Sequence, residues 1–342
     1  MTRSRAGGEV SRPAGGIPAE PTGAPVRVTV CVPTRNRGSA IAPTLRSLAA
    51  LTHDDFEVVV VDQSTDLRSR RAYEEVVGDD PRFSYVATDT IGLSVGRNIA
   101  VSRATGSIIA FTDDDCVVPA DWLTDIERVF AAHPEAMMIC GGVLAGEHDP
   151  RAGAIPTFTP RRSQLLTSPW LKYRSRGIGA NLAFRASALH RAGRFDEVLG
   201  AGAPLKSCED GDMAYRFLRA GMPVLDVPEP AVVHYGFRTW SQLRPLSRGA
   251  LMACGADCMK HLRLGDPAIL PTLLFLWFRR TIRWHNVFRL RRPIGASLFF
   301  EFGRGMLLSF RYRIDRRSRT YVPPAVARTD CQKSGPSAAG IR

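Results

Sequence analysis

The sequence has no Cys-x-x-Cys pair, no run of 18 consecutive apolar residues, and neither a Gly-x-Gly-x-x-Gly nor a Gly-Lys-Ser/Thr loop. Each absence removes a class. Seven cysteines, an odd number at irregular spacing, offer neither a disulfide framework nor a zinc pattern and fit reduced thiols. Cys254 and Cys258, four apart on an expected helix, are assigned to core packing. The most apolar window, Ala268 to Phe278, is about half of a membrane span and contains Pro271. The opening Thr2–Arg3–Ser4–Arg5 lacks the apolar stretch of a secretory signal. The first strand leads into Pro33–Thr34–Arg35–Asn36–Arg37, which disfavours a dinucleotide-binding fold or a P-loop.

Acidic residues are scarce in one place. Between Leu243 and Tyr321 there are 16 Arg plus Lys against 4 Asp plus Glu, a net of +12 within a chain total of +13. Aromatic side chains, among them Trp277, Trp284, Phe288, Phe300 and Phe310, are interleaved with those arginines. Amphipathic helices of this composition lie at a bilayer interface with arginines on the headgroups. The competing expectation is a helical subdomain packed on the core with its arginines solvated.

The rest is near neutral, and 44% apolar residues over 342 positions suffice for a sizeable core. Residues 1–25, rich in Gly, Pro, Ala and Arg, are expected to be a disordered tail, as are 323–342. Order is expected from Val26 through a β-branched strand to Val32, a helix over Ala42–Leu51 and a buried strand Phe56–Val61 ending at Asp62. A helix around Arg68–Val77, a strand Phe83–Ala87, a helix from Gly92 to Arg103 and a strand Ser107–Thr112 follow. Apolar strands alternating with helices indicate a parallel sheet covered on both faces. Ligands bind such sheets beyond the carboxyl ends of the strands.

Two acidic groups fall at those ends. Asp62 closes one strand, and Asp113–Asp114–Asp115 follows Ile108–Ile109–Ala110–Phe111. Adjacent carboxylates repel, so a cluster at a strand end calls for a cation. Alternation along an extended segment would put Asp113 and Asp115 on one face and Asp114 on the other. A third group, Glu209–Asp210, opens an expected helix Met213–Gly221, where the dipole favours acids.

The ordered segments VCVPTRNR (30–37), VVVDQSTD (59–66), GLSVGRNIAVSRATG (92–106), IIAFTDDD (108–115), GANLAFRASAL (179–189), FDEVLG (195–200) and CEDGDMAYRFLRAG (208–221) resemble the family 2 glycosyltransferases of GT-A fold. That resemblance implies an α/β fold with a mostly parallel central sheet over residues 26–242. The basic amphipathic helical region 243–322 lies outside it. It also implies a nucleotide-diphosphate sugar donor and a divalent metal, Mn²⁺ or Mg²⁺. By resemblance, Asp115 coordinates the metal, with Asp113 on the ribose or sharing the metal and Asp114 beside them. Asp62 accepts from the base, and Pro33, Thr34, Arg35 and Arg97 line the same pocket. Asn181 stands near the donor sugar, and His234 near the metal or diphosphate. Asp210 is the base that deprotonates the acceptor hydroxyl, with Glu209 as an acceptor-binding neighbour, and one base in a single displacement implies inversion. The run Asp62–Gln63–Ser64 departs from the more frequent family pattern but keeps the carboxylate.

The expected setting is cytoplasmic, peripheral on the inner face of the cell membrane, in cell-surface polysaccharide or glycolipid assembly with a glycan or lipid-linked acceptor. Two rival readings are a sugar-phosphate nucleotidyltransferase and a non-enzymatic nucleic-acid-binding protein. The first needs a Gly-rich basic loop where PTRNR stands, and the second leaves the aspartates without a role.

Overall fold

The computed structural model of the chain describes residues 27–175, 177–279 and 295–323. The tails expected at 1–25 and 323–342 (Pro323 apart) and residues 280–294 of the basic block lie outside the described residues. The chain opens with strand β1 (Val28–Thr34), all seven residues of which are buried. Val28, Val30 and Val32 alternate on a pleated surface that β-branched side chains fill well. Strands β2 (Phe56–Asp62), β3 (Phe83–Ala87) and β4 (Ile108–Thr112) alternate with helices α1 (Ala42–Ala49), α2 (Arg68–Val77) and α3 (Leu93–Arg103). These ends lie within two residues of those expected. Pro43 occupies the first turn of α1, where its missing N–H costs nothing. Gly106 is needed where α3 turns into β4, because a Cβ there would lie 2.6 Å from the Arg27 carbonyl oxygen.

The chain continues through β5 (Cys116–Val117), α4 (Trp122–Ala132), β6 (Met138–Ala145), β7 (Gly153–Ala154), β8 (Gln164–Leu166) and β9 (Asn181–Arg185). Then come α5 (Leu189–Ala192), α6 (Glu209–Arg219), β10 (Val224–His234), β11 (Arg238–Thr239) and α7 (Trp240–Arg263). The last described elements are α8 (Leu270–Leu274), α9 (Gly295–Leu308), β12 (Ile314–Asp315) and β13 (Thr320–Tyr321). The main sheet runs β3-β2-β1-β4-β9-β6-β10-β5, with β8 on β10. Pairing is parallel from β3 through β4, as expected for that half. The sheet is mixed beyond it, because β9 enters antiparallel between β4 and β6.

The carboxyl ends of β1 and β2 coincide, with Thr34 opposite Asp62. β4 stops beside them at Thr112, so the aspartate triplet emerges at the same edge. Beneath that edge, Val30, Val32, Val58, Val60, Ile109 and Phe111 form part of one core. Each such side chain contributes about 1.5–3 kcal/mol on burial. A charge at Val60, among the least exposed, would break the strand pairing that aligns Asp62 with Thr34.

Helix α7 begins with a capping box between Thr239 and Gln242 and packs against α9. Close approach is possible because a Cβ at Gly255 or Gly305 would collide with the backbone of the facing helix. Tyr215 of α6, Leu251, Cys254 and Cys258 of α7 and Phe302 of α9 share a second apolar cluster. The two cysteines thus pack in a core, as their spacing implied. No described helix is long and apolar enough to cross a membrane.

Candidate active site

The aspartate triplet leaves β4 in a turn, not an extended strand. The Cys116 N–H donates to the Asp113 carbonyl at 3.1 Å and closes it. The expected alternation is therefore replaced by three directions. Asp113 accepts from Arg97 at 3.3 Å. Asp114 accepts from the Thr34 hydroxyl at 2.7 Å and from Arg37 Nε at 2.8 Å. Asp115 accepts from the other arm of Arg37 and lies 3.1 Å from His234 Nε2. Burial alone would raise Asp115, but His234 and Arg37 hold its carboxyl below the ordinary range. Asp114 stays above it, because burial outweighs Arg37 and Thr34. Asp113 is also raised, by desolvation first and by Asp115, against the pull of Arg97.

Arg97, on the first turns of α3, is 1% exposed. One guanidinium nitrogen meets Asp113 and the other meets Glu209 at 3.2 Å. Its carbon lies 5.4 Å from the Phe195 ring centroid, a cation–π contact. Its Nε is buried with no hydrogen-bond partner among the described residues. Asn98, the next residue, brackets Phe195 through both its amide atoms and so docks the 195–200 loop on α3. That loop delivers the chain to α6.

Helix α6 opens with Glu209, Asp210 and Asp212 in its first turn, and Cys208 before it adopts a left-handed backbone with φ 75°. Glu209 is buried, and its pKa rises to about 7, by desolvation first and then by repulsion from Asp210, with Arg97 pulling the other way. Asp210 is more open. Its Oδ2 accepts from the Gly179 N–H at 2.9 Å and its Oδ1 from the Gly211 N–H at 2.6 Å. Gly179 must be glycine, since a Cβ there would lie 2.8 Å from one Arg97 nitrogen. Arg97 and Gly179 thus tie the aspartate triplet to the Glu209–Asp210 pair.

His234 ends β10 opposite Cys116 of β5, and the Tyr235 N–H donates to the Asp115 carbonyl at 2.8 Å. The His234 Nδ1 lies 3.1 Å from the Pro156 carbonyl, which places a proton on that nitrogen. Its Nε2 therefore faces the Asp115 carboxylate either protonated or with a lone pair that needs a cation between them. Desolvation would lower this imidazole, but Asp115 and Pro156 raise it above its ordinary value. Cys116 completes a cluster of three potential metal-binding side chains with Asp115 and His234. Burial pushes its thiol up, and hard divalent ions prefer oxygen. Asp115 and His234 fit such an ion, and Cys116 does not. Gly236 leaves this space clear: a Cβ there would lie 2.9 Å from an Asp115 oxygen and overlap the His234 ring. Gly236→Ala, which must displace His234 and Asp115, should weaken divalent-ion affinity by about tenfold or more and lower the melting temperature, measurable by ion titration calorimetry and thermal melting.

The remaining expected residues divide. Pro33 packs beside Gly96 of α3, next to Thr34. Asp62 is at the shared edge, but its oxygens are taken by the Ser64 N–H at 2.8 Å and by the Tyr85 hydroxyl. The Ser64 contact closes an Asx-turn. Arg35 is exposed, and Arg37, two residues on, is the arginine that reaches the aspartates. Asn181 is buried below the edge: its amide nitrogen donates to Gly142 and Pro230 carbonyls, and its oxygen accepts from Trp122. It sits opposite Thr112, where β4 ends, and brackets neighbouring strands there. Arg37, Tyr85, Gly179 and Gly236 are not among the residues expected from the sequence. The second arginine of PTRNR and the glycine two after His234 were the available signals.

Residues 29–192 match the sequence model of Glycosyl transferase family 2. A glucosyl-dolichyl phosphate glucuronosyltransferase of Haloferax volcanii is 24% identical over 119 residues, 35% of this chain and 38% of that protein. The matched stretch is thus well under half the length of that curated relative. Among solved structures, S. aureus TarS 1-349 in complex with UDP-GlcNAc has a TM-score of 0.57 at 18% identity, covering 82% of this chain and 81% of that one. The mannosyltransferase PcManGT from Pyrobaculum calidifontis, in complex with GDP-Man and Mn²⁺, has a TM-score of 0.55 at 20% identity, covering 84% and 76%. At these identities the two structures establish a shared fold.

Proposed function

We propose that the chain, whose residues 29–192 match the family 2 glycosyltransferase model, moves a sugar, with inversion, from a nucleotide-diphosphate sugar to an acceptor hydroxyl. The observation that carries this reading is the bridge made by Arg97, which meets both the triplet and the Glu209–Asp210 pair. Donor and acceptor chemistry are thereby held within reach of one side chain. The nucleotide would lie over Thr34, Asp62 and Asp113 at the edge of β1, β2 and β4, with its diphosphate toward Asp115. Relatives of the same fold were solved with UDP-GlcNAc and with GDP-Man and Mn²⁺, which supports that placement.

Asp115 and His234 would hold a divalent ion, Mn²⁺ or Mg²⁺. When bound, such an ion neutralises charge developing on a leaving diphosphate. Arg37 and Arg97 add guanidinium charge on either side, in a partly enclosed space where it is worth more than in water. Asp210, oriented by the N–H groups of Gly179 and Gly211, takes the proton of the attacking hydroxyl. One base acting in a single displacement accords with inversion. The acceptor would be a glycan or lipid-linked sugar at the inner face of a membrane, in polysaccharide or glycolipid assembly. A relative named for a dolichyl phosphate supports the lipid-linked form.

The test is thermal stabilisation by UDP and GDP with Mn²⁺ or Mg²⁺. One of them should raise the melting temperature by several degrees, on the scale of about 2.7 kcal/mol at a hundredfold excess over Kd. Removing the ion with a chelator, or Asp115→Asn, should abolish the shift. Absence of any shift with either diphosphate and metal would refute the donor assignment.

A further inference from the structure

Helix α9 buries Phe302 and Gly305 toward α7, Ser309 just past its end is buried as well, and the helix turns its opposite face outward. On that face Phe300, Arg304 and Leu307 follow a helical repeat of four and three residues. Phe300 is 72% exposed, Leu307 74% and, just past the helix, Phe310 62%. Large apolar side chains this open, grouped and not scattered, mark an interaction surface. Leu270 and Leu274, one turn apart on α8, are exposed as well. The turn that follows α8 meets α9 through Trp277, whose ring stacks on Phe299 with centroids 5.0 Å apart.

The charge around this surface is mostly positive. Arg304, Arg311, Arg313, Arg316 and Arg317 are exposed, and the Arg263 guanidinium sits 4.9 Å from the Phe310 ring centroid. The acids of the same stretch are Glu301, paired with Arg304 at 3.5 Å, and Asp315. An apolar face rimmed by arginines matches an anionic lipid bilayer better than a protein groove, because aromatic and leucine side chains enter the acyl boundary while guanidiniums remain at headgroup level. The absence of a described membrane-spanning helix leaves attachment at the interface as the geometry available to these elements.

We infer that the outward face of α9, with α8 beside it, docks the protein on an anionic bilayer surface through Phe300, Leu307 and Phe310, with Arg304 and Arg311 on the headgroups. This names the contact that the proposed membrane-carried acceptor requires, and so rests on that reading for its purpose. Its chemistry is separate from the nucleotide site.

The experiment is co-sedimentation of the full chain with vesicles of phosphatidylcholine alone or mixed with phosphatidylglycerol, at about 0.15 M salt. The wild-type protein should pellet with the anionic vesicles and remain largely in solution with phosphatidylcholine. Phe300→Ser/Leu307→Ser/Phe310→Ser should reduce the bound fraction about tenfold, and Arg304→Gln/Arg311→Gln should remove most of the preference for the anionic lipid. Both variants should keep the wild-type melting curve and the wild-type stabilisation by nucleotide diphosphate. Failure of the wild type to pellet, or equal pelleting by the triple variant, overturns the inference while the diphosphate shift separately reports on the donor site. A wild-type dimer in solution that the triple variant converts to monomer, with no vesicle binding, assigns the face to a second copy and overturns it too.

Discussion

Asp210→Asn should lower turnover by about a thousandfold and leave stabilisation by metal and nucleotide diphosphate intact. The carboxylate accepts from two backbone N–H groups, those of Gly179 and Gly211, and the Asn oxygen can keep one of them, so at most one of these contacts is lost. The structural cost is therefore small, and the loss falls on proton transfer. Glu209→Gln should behave differently. Glu209 is buried against Arg97 and its pKa is raised to about 7 by desolvation and by Asp210, so it changes charge in the working range. Below that value Arg97 keeps Asp113 as its charged partner, and above it Arg97 is shared. The wild-type pH profile of kcat/KM should show a limb near pH 7, belonging to the pair, that Glu209→Gln flattens. A raised carboxyl pKa also fixes the sign for stability. The native state keeps a proton that the unfolded chain has released, so this group's contribution falls as pH rises from about 4.5 to about 7. Loss of turnover in Glu209→Gln with full activity in Asp210→Asn would reverse the two roles.

Much of this site is legible in the sequence, and the reason is local. A β-branched run that ends in acids reports both a buried strand and where it leaves the core, so Asp62 and the triplet could be placed on one edge. Glu209–Asp210 could be placed at a helix start from the apolar spacing of Met213, Phe217 and Leu218. What stayed hidden depends on tertiary contacts. The β9 strand between β4 and β6 is antiparallel, and no feature of NLAFR encodes that direction. Asn181 reads as a polar ligand in sequence, yet three partners from three other segments consume its side chain. Arg35 and Arg37 are indistinguishable by spacing alone. The left-handed residue between them, Asn36 at φ 55°, turns the backbone so that Arg37 faces the aspartates. The basic count of the C-terminal block likewise said nothing about which of its charges would be buried.

Lys260 is the clearest of those. It is 0% exposed in helix α7, with Nζ 2.8 Å from Asp196, 2.6 Å from Asp212 and 3.3 Å from Asp257. Asp212 belongs to α6, two residues after Asp210, and also meets His261 at 3.1 Å and Arg216 at 2.9 Å. One ammonium therefore ties α7, α6 and the loop after Phe195 into a single unit. Lys260→Met preserves the length of the side chain but strands Asp196 and Asp257 as buried carboxylates with less compensation. Breaking a buried pair in this way costs about 3–5 kcal/mol, which for a domain of this size lowers the melting temperature by on the order of 10 °C. The pH window is set by both partners. Asp212 is depressed, because Arg216, Lys260 and His261 outweigh its burial, so its contribution is present above the usual value of about 3.9 and is lost as pH falls through the native one. Lys260 is raised, because the three aspartates outweigh burial, so its contribution is full below about 10.4 and is lost as pH rises further. Replacing Lys260 and Asp257 together, as Lys260→Met/Asp257→Asn, should recover part of the loss, since one stranded charge is gone. A melting temperature unchanged in Lys260→Met would mean that the network contributes nothing to holding α6. The alignment of Asp210 would then rest on the Gly179 contact and the Arg97–Glu209 pair.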